Sequence, residues 1–309
     1  MSRRYHVFIN DLAGTARERA DSAQDLADAF GRVGVDATVA HVDAQHLPHA
    51  MREAWGAGID AVVVGGGDGT TNCAAGVAVA EEMVLGVLPM GTFNHFAKDL
   101  GVATDLEEAV KFLATAEVTA VDVGEVNGRV FVNNASIGVY PEMVSIRDEI
   151  RKRRGWGKLR AAPVAVVRTL RQLPVHHLRL TVDESRPLDV ETPLLFIGNG
   201  SFDDNGVRIG RRTSLEDHRL SAYVIATTSR WRLVGNSMRA LLGGIAAAPL
   251  MMRYAGENLV VDSDETSLAI ALDGEPTDLR VPLQLRSCPG ALRVLAGDGD
   301  RSEERGGQR

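Results

Sequence analysis

The stretch from Gly65 to Thr70, Gly-Gly-Gly-Asp-Gly-Thr, combines residue types that can hold a phosphate group. It follows a short apolar run, Ile59 to Val64, which predicts a buried parallel strand, and it precedes a helical pattern that begins near Thr71. Glycines let the backbone approach an anion, and a helix N-terminus offers N–H groups and a positive dipole end. The carboxylate of Asp68 repels phosphate unless a cation lies between them. The stretch therefore predicts a nucleotide bound with its metal ion; the alternative is an ordinary tight turn.

Strand and helix patterns alternate through the N-terminal part of the chain, which predicts an α/β domain with a doubly wound, mostly parallel sheet. The predicted strands are Tyr5–Asn10, Val35–Val42, Ile59–Val64 and Val84–Leu88. The predicted helices are about Ala23–Val33, Leu47–Trp55, Asn72–Glu82, and one from a capping box at Thr104–Glu107 to about Ala116. Ligands of such sheets bind at the carboxyl ends of the strands, where Asn10, Asp68 and Thr92 fall.

From about Val118 onward strands dominate, which predicts an all-β antiparallel sandwich with helical insertions at roughly 142–173 and 230–254. The predicted strands are Val118–Val126, Arg129–Ser136, Leu178–Val182, Leu188–Ile197, Leu220–Ala226, Leu259–Asp262, Leu268–Leu272, Val281–Leu285 and Ala291–Leu295. Turn signals such as Asn127-Gly128 separate them. We expect a first domain at 1–124 and a second at 125–285. A strand within 286–297 is a candidate to return to the first domain, and 298–309 reads as a disordered tail.

The composition is that of an ordinary globular protein, with 45% hydrophobic and 24% charged residues in 309. The net charge of −7 gives no support to nucleic-acid binding. Cys73 and Cys288 are far apart and in no metal-binding spacing, which favours a reduced cytoplasmic setting. Neither a secretory signal nor an apolar run of membrane-spanning length is evident, so we expect a cytoplasmic protein.

Several motifs, spaced along nearly the whole chain, resemble one family. Gly66-Gly-Asp-Gly-Thr70, followed by Pro89-x-Gly-Thr-x-Asn94, resembles the diacylglycerol kinase catalytic-domain superfamily, which includes bacterial lipid kinases, sphingosine kinases and ceramide kinases. The further similar motifs are Asn10-x-x-Ala-Gly14, Phe131-Val-Asn-Asn-Ala-Ser-Ile-Gly138, Asp273-Gly-Glu275 and Pro289-Gly-Ala-Leu-Arg-Val294. Matches in one order along the chain are far more specific than any single motif.

The resemblance implies an ATP-dependent lipid kinase that transfers the γ-phosphoryl group to a lipid hydroxyl, diacylglycerol-like or sphingoid, in an interdomain cleft. The first domain would bind the nucleotide and the second the lipid, with ATP and Mg²⁺ required. The residues implied in nucleotide binding are Asn10, Gly66, Gly67, Asp68, Gly69, Thr70, Asn72, Gly91 and Thr92. Asn94 is expected to fix its loop.

The resemblance also implies the catalytic acids. Asp273 would accept the proton of the lipid hydroxyl, and Glu275 would hold metal or orient Asp273. Asp68 is the competing candidate for the base. The alternative for Asp273-Gly274-Glu275 is a polar hairpin turn without a chemical role.

Three positions depart from the family pattern. His95 stands where the family usually has aspartate, which removes a carboxylate; the alternative is a helix-capping or packing histidine. Many bacterial members carry a structural metal at a Leu-x-Asp-Gly-x-Leu turn, which implies ligands from Ser214, Asp217 and Arg219, but His218 occupies the glycine position. A salt-bridged turn is the alternative there. Asp11 replaces a proline in the first turn, at a cost in rigidity.

Two segments suggest a membrane contact. The basic cluster Arg147–Arg160 with Trp156 suits an anionic membrane surface, although a solvated helix face has the same pattern. The segment Trp231–Tyr254 mixes apolar and arginine residues, so it fits an interfacial helix, an acyl-chain pocket or a core stripe. We therefore expect peripheral membrane association and a lipid substrate, no nucleic-acid partner, and leave a homodimer open.

Two rival functions are consistent with part of the pattern. NAD kinase also combines Gly-Gly-Asp-Gly-Thr with an all-β second domain, but its downstream Asn-x-Gly-x-Leu-Gly-Phe type of motif is absent and Pro89-x-Gly-Thr-x-Asn94 stands instead. A non-catalytic nucleotide or lipid sensor would explain His95 and the altered metal turn. The acids Asp68, Asp273 and Glu275 favour an enzyme over a sensor.

Overall fold

The computed structural model describes residues 2–10, 23–139, 141, 175–201, 214–225 and 251–297. The chain forms two compact units, the first made of Met1–Val121 with Pro289–Arg309 and the second of Asp122–Cys288. The turn at residues 11–14, the basic cluster, most of the two helical insertions and the tail at 298–309 lie outside the described residues. Within the described ranges, no helix is both long and apolar enough to cross a membrane.

The first unit is an α/β fold built on parallel strands, as the sequence predicts. Its strands are β1 (Arg3–Asn10), β2 (Val35–Val42), β3 (Ala61–Gly66), β4 (Val84–Pro89) and the end of β16 (Leu283–Ala296). They lie in the order β2-β1-β3-β4-β16, and each neighbouring pair is parallel. Strands β3 and β4 are buried along their whole length, because helices cover both faces of such a sheet.

Five helices of the described residues belong to the first unit: α1 (Ala23–Arg32), α2 (Leu47–Gly56), α3 (Asp68–Ala80), α4 (His95–Asp99) and α5 (Leu106–Thr115). Two predicted helix starts were wrong. Helix α3 begins at Asp68 rather than near Thr71, since an acidic residue in a first turn is stabilised by the helix dipole. Helix α5 is capped by Asp105, whose side chain accepts from two backbone N–H groups, and not by Thr104.

The second unit is a set of antiparallel strands. One sheet has the order β12-β11-β10-β7-β14-β15, and a second group is formed by β9, β8, β13 and the start of β16, with β5 and β6 beside it. The bounds are β5 (Glu117–Val126), β6 (Arg129–Phe131), β7 (Asn134–Gly138), β8 (His176–Val182), β9 (Leu188–Thr192), β10 (Leu194–Asn199), β11 (Leu220–Ile225), β12 (Met251–Gly256), β13 (Asn258–Ser263), β14 (Ser267–Leu272) and β15 (Glu275–Arg280). Their inward side chains form one core, which includes Phe131, Ile137, Leu180, Leu195, Val224, Val261, Ile270 and Leu285.

Several strand predictions in this unit were wrong in their bounds. The predicted strands 129–136 and 188–197 are each two strands in different sheets, because the chain bends at Val132-Asn133 and at Pro193. Strand β15 was not predicted. Strand β12 falls where the second helical insertion was expected to end, and its pairing with β11 decides its conformation. The two predicted strands at the C-terminal end are one, β16, which pairs with β13 at its start and with β4 near its end.

Candidate functional site

The turn after β3 has the features of a phosphate-binding turn. Gly67 is the N-cap of α3 in an extended conformation, and Asp68, Gly69 and Thr70 form the first helical turn. The first backbone N–H groups of a helix have no partner within it, whereas the amide of Thr71 already donates to the Gly67 carbonyl, at 3.0 Å. Amides of the first turn are therefore available to an anion, and the positive end of the helix dipole lies at the same place.

Asn10 fixes the hydroxyl of Thr70. Asn10 ends β1, next to β3, and its Nδ2 atom donates to Oγ1 of Thr70 at 2.7 Å. Both side chains are buried. A Cβ atom placed on Gly66 would lie 2.6 Å from Cβ of Thr70. Any residue other than glycine at position 66 would therefore clash with the threonine side chain. The hydroxyl accepts from Asn10 and keeps its own hydrogen for another acceptor.

The loop after β4 lies directly against this turn. A Cβ atom on Gly91 would be 2.4 Å from the Cα atom of Gly67, so the two backbones meet where both residues are glycine. Asn94 fixes the loop: its Oδ1 accepts from the Gly91 amide at 2.8 Å and its Nδ2 donates to the Gly91 carbonyl at 2.9 Å. Asn94 itself has a left-handed backbone, φ 52°, which asparagine tolerates better than most residues.

Asp68 ties the two loops together. Its Oδ1 atom accepts from the backbone N–H of His95 at 2.9 Å, and among the described residues its Oδ2 atom takes no hydrogen bond. The described ranges contain no group of three or more His, Cys, Asp or Glu side chains that could hold a metal ion. One carboxylate oxygen beside a phosphate-binding turn still fits Mg²⁺, which usually binds through one or two carboxylates together with substrate phosphates and waters.

Three exposed side chains border the turn. Thr92 and Phe93 follow Gly91, and His95 begins α4. The ring of His95 stacks on that of Phe93, with centroids 5.7 Å apart and planes 14° apart. His95 is thus neither the N-cap, which is Asn94, nor a buried packing residue. Asn72, another predicted nucleotide-binding residue, lies one helical turn further into α3.

Asp273 lies in the second unit, in the two-residue turn between β14 and β15. Asp273 and Gly274 both have positive φ, 47° and 91°, as the polar hairpin alternative required. The Asp273 carboxylate is buried, and it accepts three backbone N–H groups: Val132 on Oδ2 at 2.7 Å, and Asn133 and Asn134 on Oδ1 at 2.7 and 2.9 Å. It therefore fastens the bend at which the chain changes sheet.

Glu275, the first residue of β15, is exposed, and in the described part of the chain no hydrogen bond joins it to Asp273. Backbone amides, and not Glu275, orient the Asp273 carboxylate.

A buried acid that was not predicted, Asp122, lies in β5. It is 3% exposed. Its Oδ2 accepts from the backbone N–H of His218 at 2.7 Å, and the His218 Nδ1 atom lies 3.0 Å from the same oxygen. The Asp122 carbonyl accepts from Nδ2 of Asn199, at 2.8 Å. The only signal in the sequence is a charged residue within the apolar run Val121-Asp-Val123.

The turn predicted to hold a structural metal is held by protein groups. Asp217 Oδ2 accepts from the Ser201 amide at 2.7 Å, and the Arg219 carbonyl accepts from the Gly200 amide at 2.9 Å. The carbonyl oxygen of Ser214 lies on the same side of Gly200 as Oδ2 of Asp217: a Cβ atom on Gly200 would be 3.3 Å from the first and 3.5 Å from the second. The three residues supply one carboxylate and two carbonyls, and two of these groups already have partners. Such oxygens are ligands that Ca²⁺ and Mg²⁺ accept, and an oxygen with one hydrogen bond keeps a further lone pair, so the structural metal stays a prediction.

The two cysteines have no part in the site. Burial raises the pKa of the Cys73 thiol in α3, and burial likewise raises the pKa of Cys288 against the opposing charge of Arg286. Both thiols are free and stay protonated near neutral pH, so neither is a ready nucleophile.

The predicted site residues fall into two groups. The structure brings together Asn10, the turn Gly66–Thr70 and the loop Gly91–Asn94 within the first unit. Asp273, Glu275 and the residues of the predicted metal turn belong to the second unit.

Two protein families match successive parts of the chain, and the boundary between the two matches lies near the boundary between the two units. Residues 4–126 match the diacylglycerol kinase catalytic domain. Residues 133–296 match the YegS C-terminal NAD kinase beta sandwich-like domain.

Curated relatives match over most of the chain. A protein of Pseudomonas aeruginosa strain PAO1 named "Probable lipid kinase YegS-like" is 32% identical over 295 residues, which cover 93% of this chain and 92% of that protein. One of the same name from Pseudomonas syringae pv. syringae is 31% identical over 82% of this chain and 80% of that protein.

Among solved structures, a diacylglycerol kinase from Bacillus anthracis str. Sterne superposes with a TM-score of 0.68 at 17% identity, over 96% of this chain and 97% of that one. At that identity the likeness concerns the fold.

Proposed function

Because the chain belongs to the diacylglycerol kinase catalytic-domain family and is a lipid kinase, we propose that it transfers the γ-phosphoryl group of ATP to the hydroxyl group of a lipid. The acceptor is diacylglycerol-like or sphingoid. One observation supports nucleotide binding above all: the turn after β3 and the loop after β4 are held together. Gly91 packs against Gly67, and the Asp68 carboxylate accepts a hydrogen bond from the backbone of His95. A phosphate needs such a turn to be open to it and rigid.

On the nucleotide side, the first-turn amides of α3 bind phosphate oxygens, and the hydroxyl groups of Thr70 and Thr92 donate to them. Oδ2 of Asp68 would hold Mg²⁺, directly or through its water shell. The metal, when bound, neutralises charge on the phosphates. Asn10 acts indirectly, because its bond to Thr70 sets the direction of that hydroxyl.

On the acceptor side, we propose Asp273 as the base. The lipid hydroxyl gives its proton to Oδ2 of Asp273, its oxygen forms a bond to the γ-phosphorus, and the bond from that phosphorus to the β–γ bridging oxygen breaks to leave ADP. Of the backbone bonds from described residues, Oδ2 accepts one and Oδ1 accepts two, which favours Oδ2 as the candidate atom. Asp68 remains the competing base, and Glu275 a second acid on the acceptor side.

Three further assignments belong to the same proposal. Residues 1–124 bind the nucleotide and residues 125–285 bind the lipid acceptor. The enzyme is cytoplasmic and meets its substrate at a membrane surface, through the basic cluster at Arg147–Arg160. A homodimer stays a prediction.

The test is a transfer assay with the full chain, [γ-³²P]ATP, Mg²⁺ and micelles of a panel of lipids with free hydroxyl groups. We expect label in at least one lipid. ATP binding without label in any acceptor would favour a nucleotide or lipid sensor and overturn the kinase proposal. For the base, Asp273→Asn is expected to abolish transfer while ATP binding persists; retained turnover would remove Asp273 from that role.

NAD is the acceptor to include beside the lipids. The family that matches residues 133–296 is described as NAD kinase beta sandwich-like, which favours this second candidate over other nucleotides. Label in NAD and in none of the lipids would make NAD phosphorylation the function of the chain.

A further inference from the structure

An aromatic side chain stands exposed beside the phosphate-binding turn. Phe93 is 63% exposed, more than the other large exposed hydrophobic side chains of the described residues, which are Val118, Leu188 and Met252 at 37–50%. Its ring is backed by the ring of His95, nearly parallel to it. Phenylalanine in water gives up the hydrophobic contribution it would make when buried, so its exposure at this place needs an explanation.

The ring pair is attached to a rigid support. Phe93 lies between Gly91 and Asn94, which are joined by two hydrogen bonds, and His95 is bonded through its backbone to Asp68. Gly91 in turn lies against Gly67. The ring pair therefore begins two residues along the chain from the point at which the loop meets the phosphate-binding turn.

The chemistry of the pair favours a flat ligand. Two parallel rings present a planar π-face, and nucleobases stack on such faces whatever their hydrogen-bonding pattern. The nucleoside of a bound nucleotide is tethered to the phosphates by its ribose, so its base has to lie within short reach of the turn. An acyl chain has no planar face to match and is bound better in a groove.

We propose that Phe93, supported by His95, is the platform on which the base of the bound nucleotide stacks. The inference rests on the proposed function, because it assumes that a nucleotide occupies the turn. It gives Phe93 and His95 a part in binding that their positions in the motif do not imply: the first fills the variable position of Gly-Thr-x-Asn, and the second replaces an acid.

The experiment compares a ligand that has a base with one that lacks it. Dissociation constants of Mg·ATP and of Mg·tripolyphosphate are measured calorimetrically for the full chain and for the Phe93→Ala, Phe93→Trp and Val118→Ala variants. For Phe93→Ala we expect about tenfold weaker ATP binding, the loss typical of one stacked base, with tripolyphosphate binding within about twofold of the unchanged chain. Phe93→Trp keeps ATP affinity. Val118→Ala, which removes another exposed apolar side chain of the same unit, changes neither.

Each other outcome overturns the proposal. Unchanged ATP affinity in Phe93→Ala shows that no base stacks there, and equal losses for both ligands show that Phe93 acts on phosphate binding and not on the base. Unchanged affinity for both ligands together with a raised KM for the lipid in the transfer assay would assign Phe93 to the acceptor instead. If the unchanged chain binds neither ligand, the proposed function fails with it, whereas normal ATP binding by the unchanged chain and by Phe93→Ala alike sinks this inference alone.

Discussion

Replacing Asp273 by asparagine should destabilise the second unit. The aspartate accepts three backbone N–H groups at 2.7–2.9 Å while buried. Asparagine has one oxygen, which can keep the two bonds that Asn133 and Asn134 donate. The atom facing the amide of Val132 then becomes an NH₂ group, so two donors meet and one charge-assisted bond is lost.

The size of the effect follows from that count. A buried donor without an acceptor costs about 1–3 kcal/mol, and the two bonds that remain are weaker because their acceptor no longer carries a charge. We therefore expect Asp273→Asn to lower the free energy of unfolding by about 2–4 kcal/mol. Glu275→Gln is the matched control, since this neighbouring acid is exposed and should change stability by less than about 0.5 kcal/mol.

Urea unfolding followed by far-ultraviolet circular dichroism measures both variants against the unchanged chain. A loss below about 0.5 kcal/mol in Asp273→Asn would refute the account of Asp273 as the fastening of the bend, since so small a loss is that of an ordinary surface substitution. The same measurement shows whether Asp273→Asn is still folded at the assay temperature. If it is folded and transfers no phosphoryl group, the loss of activity is due to the missing carboxylate and not to unfolding.

Three further predictions concern other parts of the chain. Gly91→Ala should weaken Mg·ATP binding more than tenfold in calorimetry, because the new Cβ would lie 2.4 Å from Gly67; unchanged affinity would show that the loops can separate freely. His218→Ala, which keeps the Cβ atom at this left-handed position (φ 55°), should lower the free energy of unfolding by about 1–2 kcal/mol through loss of the side-chain contact with Asp122; an unchanged value in urea unfolding would show that the contact contributes nothing. Burial lowers the pKa of His6 below 6.5, so the unfolded chain binds more protons at this residue than the folded chain does. The free energy of unfolding should therefore fall as the pH drops from 6.5 toward the folded pKa. His6→Asn should flatten this part of the curve of unfolding free energy against pH, and an unchanged slope contradicts the assignment.

The first unit was predictable because its signals are local. Runs of buried residues mark β3 and β4, and helical spacing marks α1 and α2 within a few residues of their true bounds. The resemblance to a family then supplied the residue types of the phosphate turn. Neither source predicted the packing of Gly91 on Gly67, because contacts between distant parts of a chain leave no periodic trace in the sequence.

The second unit was harder for the same reason. No glycine or proline interrupts the segment from Arg129 to Ser136, although the chain changes sheet at Val132-Asn133, so one strand was predicted in place of two. Asp122 and His218 are 96 residues apart in the sequence. Only the fold shows that His218, which stands where the family has glycine, contacts the buried carboxylate of Asp122. The role of Asp273 as a fastening was hidden likewise, since its three partners come from a motif that precedes it by more than a hundred residues.

Strand β16 has a consequence for how the protein is made. Protein synthesis delivers β4 long before the part of β16 that pairs with its free side, at Arg293 and Val294. Until then the nascent sheet carries an open, wholly apolar edge of the kind that recruits other chains. A fragment that stops at Val121 would leave that edge of β4 unpaired, and we expect it to aggregate more than the 309-residue chain does.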